Sequence, residues 1–140
     1  MKKSEDEATR LQDLFEANDF DGVVRLLEEI KLRRPLDLPE LLLLGRAIQL
    51  GSAETLTLEQ AEASYAEILE RDGDYVPGLL DMGWFLFAVQ DDASRALPYF
   101  DRALELSKRH LEEAEDGKGQ CEEEIAERNR VDDPPDADTE

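Results

Sequence analysis

LLLLGRAIQL at residues 41–50 and LLDMGWFLFA at residues 79–88 fall into one register, with Leu44-Gly45 on Met82-Gly83. Both carry apolar residues at helical spacing, and nothing elsewhere in the chain alternates as a half-buried strand does. Carried forward, the register sets Ala61, Tyr65 and Leu69 on Ala96, Phe100 and Leu104. Carried back, it puts Pro35 at the end of a preceding unit that supplies Phe20, Val23 and Leu27 at the matching places. The chain therefore reads as three units, and apolar spacing makes each a pair of helices.

The helix ends can be read from capping chemistry. A first helix is expected over about Glu5–Ala17, opened by a Ser4/Glu7 capping box and carrying Leu11, Leu14 and Phe15. A second runs from about Gly22 to Arg33 with Val23, Leu26, Leu27 and Ile30 inward, stopping before Pro35. The third opens near Pro39 and ends near Gly51, and the fourth opens at the Thr57/Gln60 box and ends at Asp72-Gly73. The fifth holds Leu79, Met82, Gly83, Leu86 and Phe87. The sixth is capped by Asp91 or Asp92, with Ala96, Phe100, Ala103 and Leu104 inward and a slight bend at Pro98.

Gly45 and Gly83, the small Ala61, Ala96 and Ala103, and the rings of Phe20, Tyr65 and Phe100 carry a resemblance to the tetratricopeptide repeat, over roughly residues 4–108. The resemblance implies an all-α, right-handed α-solenoid of three helix-turn-helix hairpins, with small and large residues alternating where the helices cross. Two departures stand out: Leu11 occupies a place where glycine is usual, and the turn GSAETLTLEQ (51–60) is longer than the family norm. The expected organisation is a repeat domain at 1–110, a polar helical extension at 111–130 and a disordered acidic tail at 131–140. The extension is expected to break at Gly117-Lys118-Gly119, and Leu111 and Ile125 to cover the last apolar face.

Charge narrows the function classes. The 140 residues carry 36 acidic and 16 basic side chains, a net charge of -20. Half of that excess lies in residues 111–140, with 13 acidic and 3 basic residues. Such a surface repels phosphate backbones and anionic lipid, so neither nucleic acid nor membrane is an expected partner. The start, MKKSEDEATR, has no apolar run of the kind a signal peptide carries. Cys121 is the lone cysteine, which rules out an intrachain disulfide and fits a reducing, cytoplasmic setting.

EANDFDGVVRLLEE at residues 16–29 also invites reading as a calcium loop ending at Glu28, with Asp19, Asp21 and Gly22 in ligand and turn places. Ala17 then stands where the first oxygen ligand is required. The hairpin reading uses the same residues as a turn at Asn18-Asp19, a packed Phe20, a cap at Asp21 and an entry at Gly22. No metal, cofactor or catalytic residue is expected. His110 sits in a basic helix end, Cys121 has no histidine as a sequence neighbour, and no nucleophile, phosphate-loop or paired-ligand motif occurs.

What remains is binding. The resemblance implies a concave face lined by the first helix of each hairpin, which in this register presents Gln12, Phe15, Leu42, Arg46, Gln49, Leu80, Trp84 and Phe87 to a peptide or helix of a partner protein. Trp84 and Phe87 also suit a place in the core. A non-enzymatic adaptor or scaffold is the expected function. The alternative is an acidic chaperone or inhibitor that neutralises a basic client. Arg25, Lys31, Arg33 and Arg34 form a local basic cluster that suits an acidic segment or simply complements a helix end. A homodimer through an end of the stack or the groove is compatible with only three hairpins.

Overall fold

A computed structural model describes residues 2–52 and 56–132. Those residues form six α-helices, one π-helical turn and no strand: α1 (Lys2–Glu16), α2 (Phe20–Lys31), α3 (Leu38–Leu50), α4 (Leu58–Arg71), α5 (Val76–Trp84), the π turn Phe85–Val89, and α6 (Ala93–Asp132). The chain divides into two compact units, Met1–Ala103 and Leu104–Glu140.

Within the first unit, each of α1 to α4 packs against the helix that follows it, and α3 additionally touches α5. The α3–α4 pair shows why. A Cβ on Gly45 would stand 2.4 Å from the Tyr65 ring, so only glycine lets that ring lie against α3. Tyr65 is fully buried, meets Phe85 edge-on at 5.9 Å, and accepts a short hydrogen bond at its hydroxyl from Gln49 Nε2. The same arrangement joins α5 to the start of α6, where a Cβ on Gly83 would come within 2.8 Å of the Phe100 ring. Ala61 and Ala96, the small residues in register one turn before those rings, are buried. Val23, Leu27, Ile30, Leu41, Ile68 and Leu86 complete the core around them.

The turns follow from local chemistry, with corrections to the expected caps. Asn18 has φ 61°, and the Asp19 and Asn18 amides donate to the Leu14 and Phe15 carbonyls at 2.9 and 3.0 Å. That is a Schellman ending on an asparagine, the residue other than glycine that best tolerates the left-handed region. Asp19, not Asp21, caps α2 by accepting from Gly22 N at 3.0 Å. Asp21 instead accepts from Ser52 N and Oγ at 3.1 and 2.9 Å, tying the start of α2 to the end of α3. Helix α1 begins at Lys2 rather than at a Ser4/Glu7 box. A box the sequence reading missed opens α3: Asp37 Oδ1 accepts from Glu40 N at 2.8 Å, and Glu40 Oε1 from Asp37 N at 2.9 Å.

In the second unit the expected break at Gly117-Lys118-Gly119 does not occur, because α6 runs on to Asp132. Glycine weakens a helix without forbidding it, and side-chain pairs one turn apart bracket the site. Gln120 donates to Asp116 at 3.0 Å and Lys118 to Glu122 at 2.7 Å. Leu104, expected inward, is 65% exposed, and Leu111 and Ile125 are exposed as well. Of the expected acidic tail, residues 133–140 lie outside the described residues.

Gly45→Ala should lower the thermal midpoint, since overpacking costs about 1–3 kcal/mol against at most about 1 kcal/mol of helix propensity gained. Gly117 has nothing within 4 Å of its Cβ position, so Gly117→Ala should raise helical circular dichroism without that loss. Melts of the two variants side by side check both signs.

Candidate functional site

The first unit carries three neighbouring concavities. The largest, about 770 Å³, lies between α1 and α3 and is floored by Leu11, Phe15, Pro39 and Leu43. A second of about 190 Å³ opens between α3 and α5 among Arg46, Gln49, Leu50, Tyr65, Asp81 and Trp84. A third of about 240 Å³ lies between Trp84 and Phe87 on one side and Ala96, Leu97 and Phe100 on the other. Leu43 and Arg46 are one turn apart on α3, and Trp84 belongs to both the second and third concavities, so the three follow one path.

The side chains expected on a concave face distribute along that path unevenly. Gln12 and Phe15 line the first concavity. Phe15 meets Phe20 edge-on at 5.2 Å, and Gln12 Nε2 donates to Glu16 at 3.0 Å. Arg46, Gln49 and Trp84 line the second, and Phe87 joins Trp84 at the third. Leu80 is partly exposed. Leu42, at 8% exposure, points into the core, and its neighbour Leu43 faces the groove.

Trp84 and Phe87 are 57% and 50% exposed, so neither is a core residue. Their rings meet edge-on at 5.9 Å, and Trp84 also meets Phe100 at 5.0 Å. A π turn directly follows Trp84 and carries Phe87. In the π turn, Gln90 N donates to Phe85 O at 3.1 Å and Asp92 N to Leu86 O at 2.9 Å, each one residue wider than the α-helical ending after α1. Phe85 and Leu86 are buried while Phe87 lies outward. Such widened turns are frequent at functional sites.

Arginines hold the walls. Arg46 Nε and Nη2 donate to Asp81 at 2.5 and 3.1 Å, joining α3 to α5. The pair is partly exposed and contributes on the order of 1 kcal/mol or less, so its main effect is to fix the two helices in position. The Asp81 carboxylate raises the Arg46 pKa above its ordinary value, against the opposing effect of burial. Burial pushes the Tyr65 phenol upward, with Asp81 adding to the shift.

Arg34 grips Glu40 through both terminal nitrogens at 2.8 and 2.7 Å and reaches Glu7 at 3.2 Å, while Arg33 donates to Glu7 at 2.7 Å. Two members of the expected basic cluster are thus already neutralised by the chain itself. The Arg33 hydrogen bond first, and then Arg34, hold the Glu7 carboxyl below its ordinary value; Arg34 does the same to Glu40. Farther along, Arg95 donates to Glu62 at 3.0 Å and Arg102 to Asp74 at 2.7 Å.

Sequence reasoning missed Asp81 and Leu43 as wall residues, although the register that puts Gly45 on Gly83 also puts Leu43 on Asp81. That equivalence was the available signal. His110 and Cys121 are both exposed on α6 and lie about 16 Å apart along its axis at 1.5 Å per residue. Among the described residues no group of three or more metal-ligating side chains converges. No helix among them is long and apolar enough to cross a membrane. Comparison with known proteins found no family model and no curated protein that matches this chain.

Because folding depresses the Glu7 and Glu40 pKa values, their contribution is complete above the ordinary carboxyl value of 4.5 and is lost as pH falls through the lower folded values. Glu7→Gln should therefore be less stable than the parent at neutral pH, with the difference narrowing below pH 4.5. Urea midpoints of both proteins across that range measure it.

Proposed function

We propose that this chain is a non-enzymatic, tetratricopeptide-like adaptor or scaffold, its three helical hairpins stacked as a short right-handed solenoid, and that it binds a peptide or helix of another protein along the α1–α3–α5 path. The observation that carries the proposal is the exposed Trp84–Phe87 pair beside a line of apolar concavities. Tryptophan is over-represented among residues that dominate interface energies, and large exposed apolar groups gathered in one place are unusual on a surface with no partner. The fixed Arg46–Asp81 pair supplies a polar edge whose geometry is set before a ligand arrives.

The groove cations are held by carboxylates of the chain itself. A partner's terminal carboxylate therefore finds no free cation cluster at Arg34 or Arg46, and the reading favours an internal segment of the partner. The strongly acidic residues 111–140 favour a second reading, a chaperone or inhibitor that holds a basic client by charge. That reading requires affinity to fall steeply with salt and with removal of residues 111–140.

Trp84→Ala combined with Phe87→Ala should cut partner recovery from the native host by about tenfold or more, equivalent to about 1.4 kcal/mol, while helical circular dichroism stays unchanged. Undiminished recovery would remove this surface from the binding site.

A further inference from the structure

The α1–α3 groove lies at the opposite end of the path from Trp84 and differs from it in charge. Its floor is apolar, made by Leu11, Phe15, Pro39 and Leu43, and Glu16, Asp37 and Glu40 stand along it, with Arg34 the one cation among the described residues of its lining. Arg34 directs its donors at Glu40, Glu7 and the Pro35 carbonyl, so its charge is more than matched from within. The groove therefore offers an apolar floor and carboxylate acceptors, with an excess of negative charge.

The engaged polar groups also restrict the shape of an occupant. Gln12 donates to Glu16, Asp37 and Glu40 cap α3 through each other, and the helix backbones on both sides satisfy themselves. An extended segment would bring unpaired backbone C=O groups onto this floor, where the donors of Gln12, Arg34 and the α3 cap are already directed elsewhere. A helix brings none along its length. Its cationic side chains would find the acceptors the carboxylates still offer.

We propose that the α1–α3 groove seats a basic amphipathic helix of a partner protein. Apolar residues spaced one turn apart lie on Leu11, Phe15, Pro39 and Leu43, and lysines or arginines flank them against Glu16, Asp37 and Glu40. This rests on the binding-module reading above and supplies the chemical class of its ligand.

The test uses the full 140-residue chain and labelled synthetic peptides of about 15 residues, long enough to form helix on a surface. One peptide has leucines at helical spacing on a lysine background. A second has the same composition with the leucines scrambled, and a third has glutamate in place of lysine. Fluorescence anisotropy at physiological salt should show the first binding at least about tenfold more tightly than either control.

Leu43→Glu should weaken that binding by about tenfold, although it makes the protein more acidic, whereas attraction by net charge alone would strengthen it. Glu16→Lys, at the exposed edge, should weaken it without touching the floor. Equal binding of the scrambled or glutamate peptide, unchanged or tighter binding to the Leu43→Glu protein, or no binding at all overturns the proposal. Loss confined to Trp84→Ala would likewise overturn it, moving the seat to the α5–α6 end while leaving the binding-module reading intact. A partner recovered in a Trp84-dependent way while no peptide binds overturns this inference alone.

Discussion

The ring of Tyr65 can lie against α3 only because residue 45 has no side chain. Gly45 brings the α4 ring onto the α3 backbone, and that approach buries Tyr65, sets its edge against Phe85 and lets its hydroxyl accept from Gln49 Nε2. Gly83 and Phe100 repeat the contact between α5 and α6. The groove walls depend on it, since Arg46 and Trp84 each directly follow one of these two glycines. Holding the glycine face against a ring aims the next residue along the helix away from that contact.

A second constraint is electrostatic. In a chain this acidic, five of the eleven arginines join elements through ion pairs among the described residues: Arg33 and Arg34 to Glu7, Arg34 to Glu40, Arg46 to Asp81, Arg95 to Glu62 and Arg102 to Asp74. Individually such partly exposed pairs are weak. Together they draw scarce positive charge into fixed contacts, which leaves the groove edges acidic. A groove of that kind discriminates among ligands by what it repels as well as by what it attracts.

The helical character of the chain and most core positions were legible in the spacing of apolar residues. Val23, Leu26, Leu27 and Ile30 are buried as their period requires, and the glycine–ring pairs were visible as a shared register. Caps were read less well: Asp19 and Asp21 are both acceptors in the right neighbourhood, and only the path of the backbone distinguishes them. The run of four leucines at 41–44 hid which one faces outward, because a uniformly apolar stretch carries no period to read. Leu42 went inward and Leu43 outward. The continuity of α6 through Gly117 and Gly119 is not legible from the glycines themselves, since each costs a helix only about 1 kcal/mol and flanking side-chain pairs offset it.

Local rules thus decided the helical character of the described residues, since it depends on residues a few positions apart. The groove could not be read at that level. The Arg46–Asp81 pair joins residues 35 positions apart, and Arg33, in the turn after α2, meets Glu7 of α1 from 26 positions away. Whether Trp84 is core or surface turned on the approach of the Phe100 ring to Gly83, which leaves the next residue facing outward. These are outcomes of packing between elements, where side chains distant in sequence compete for the same space and the same charges, and no local rule specifies which of them prevails.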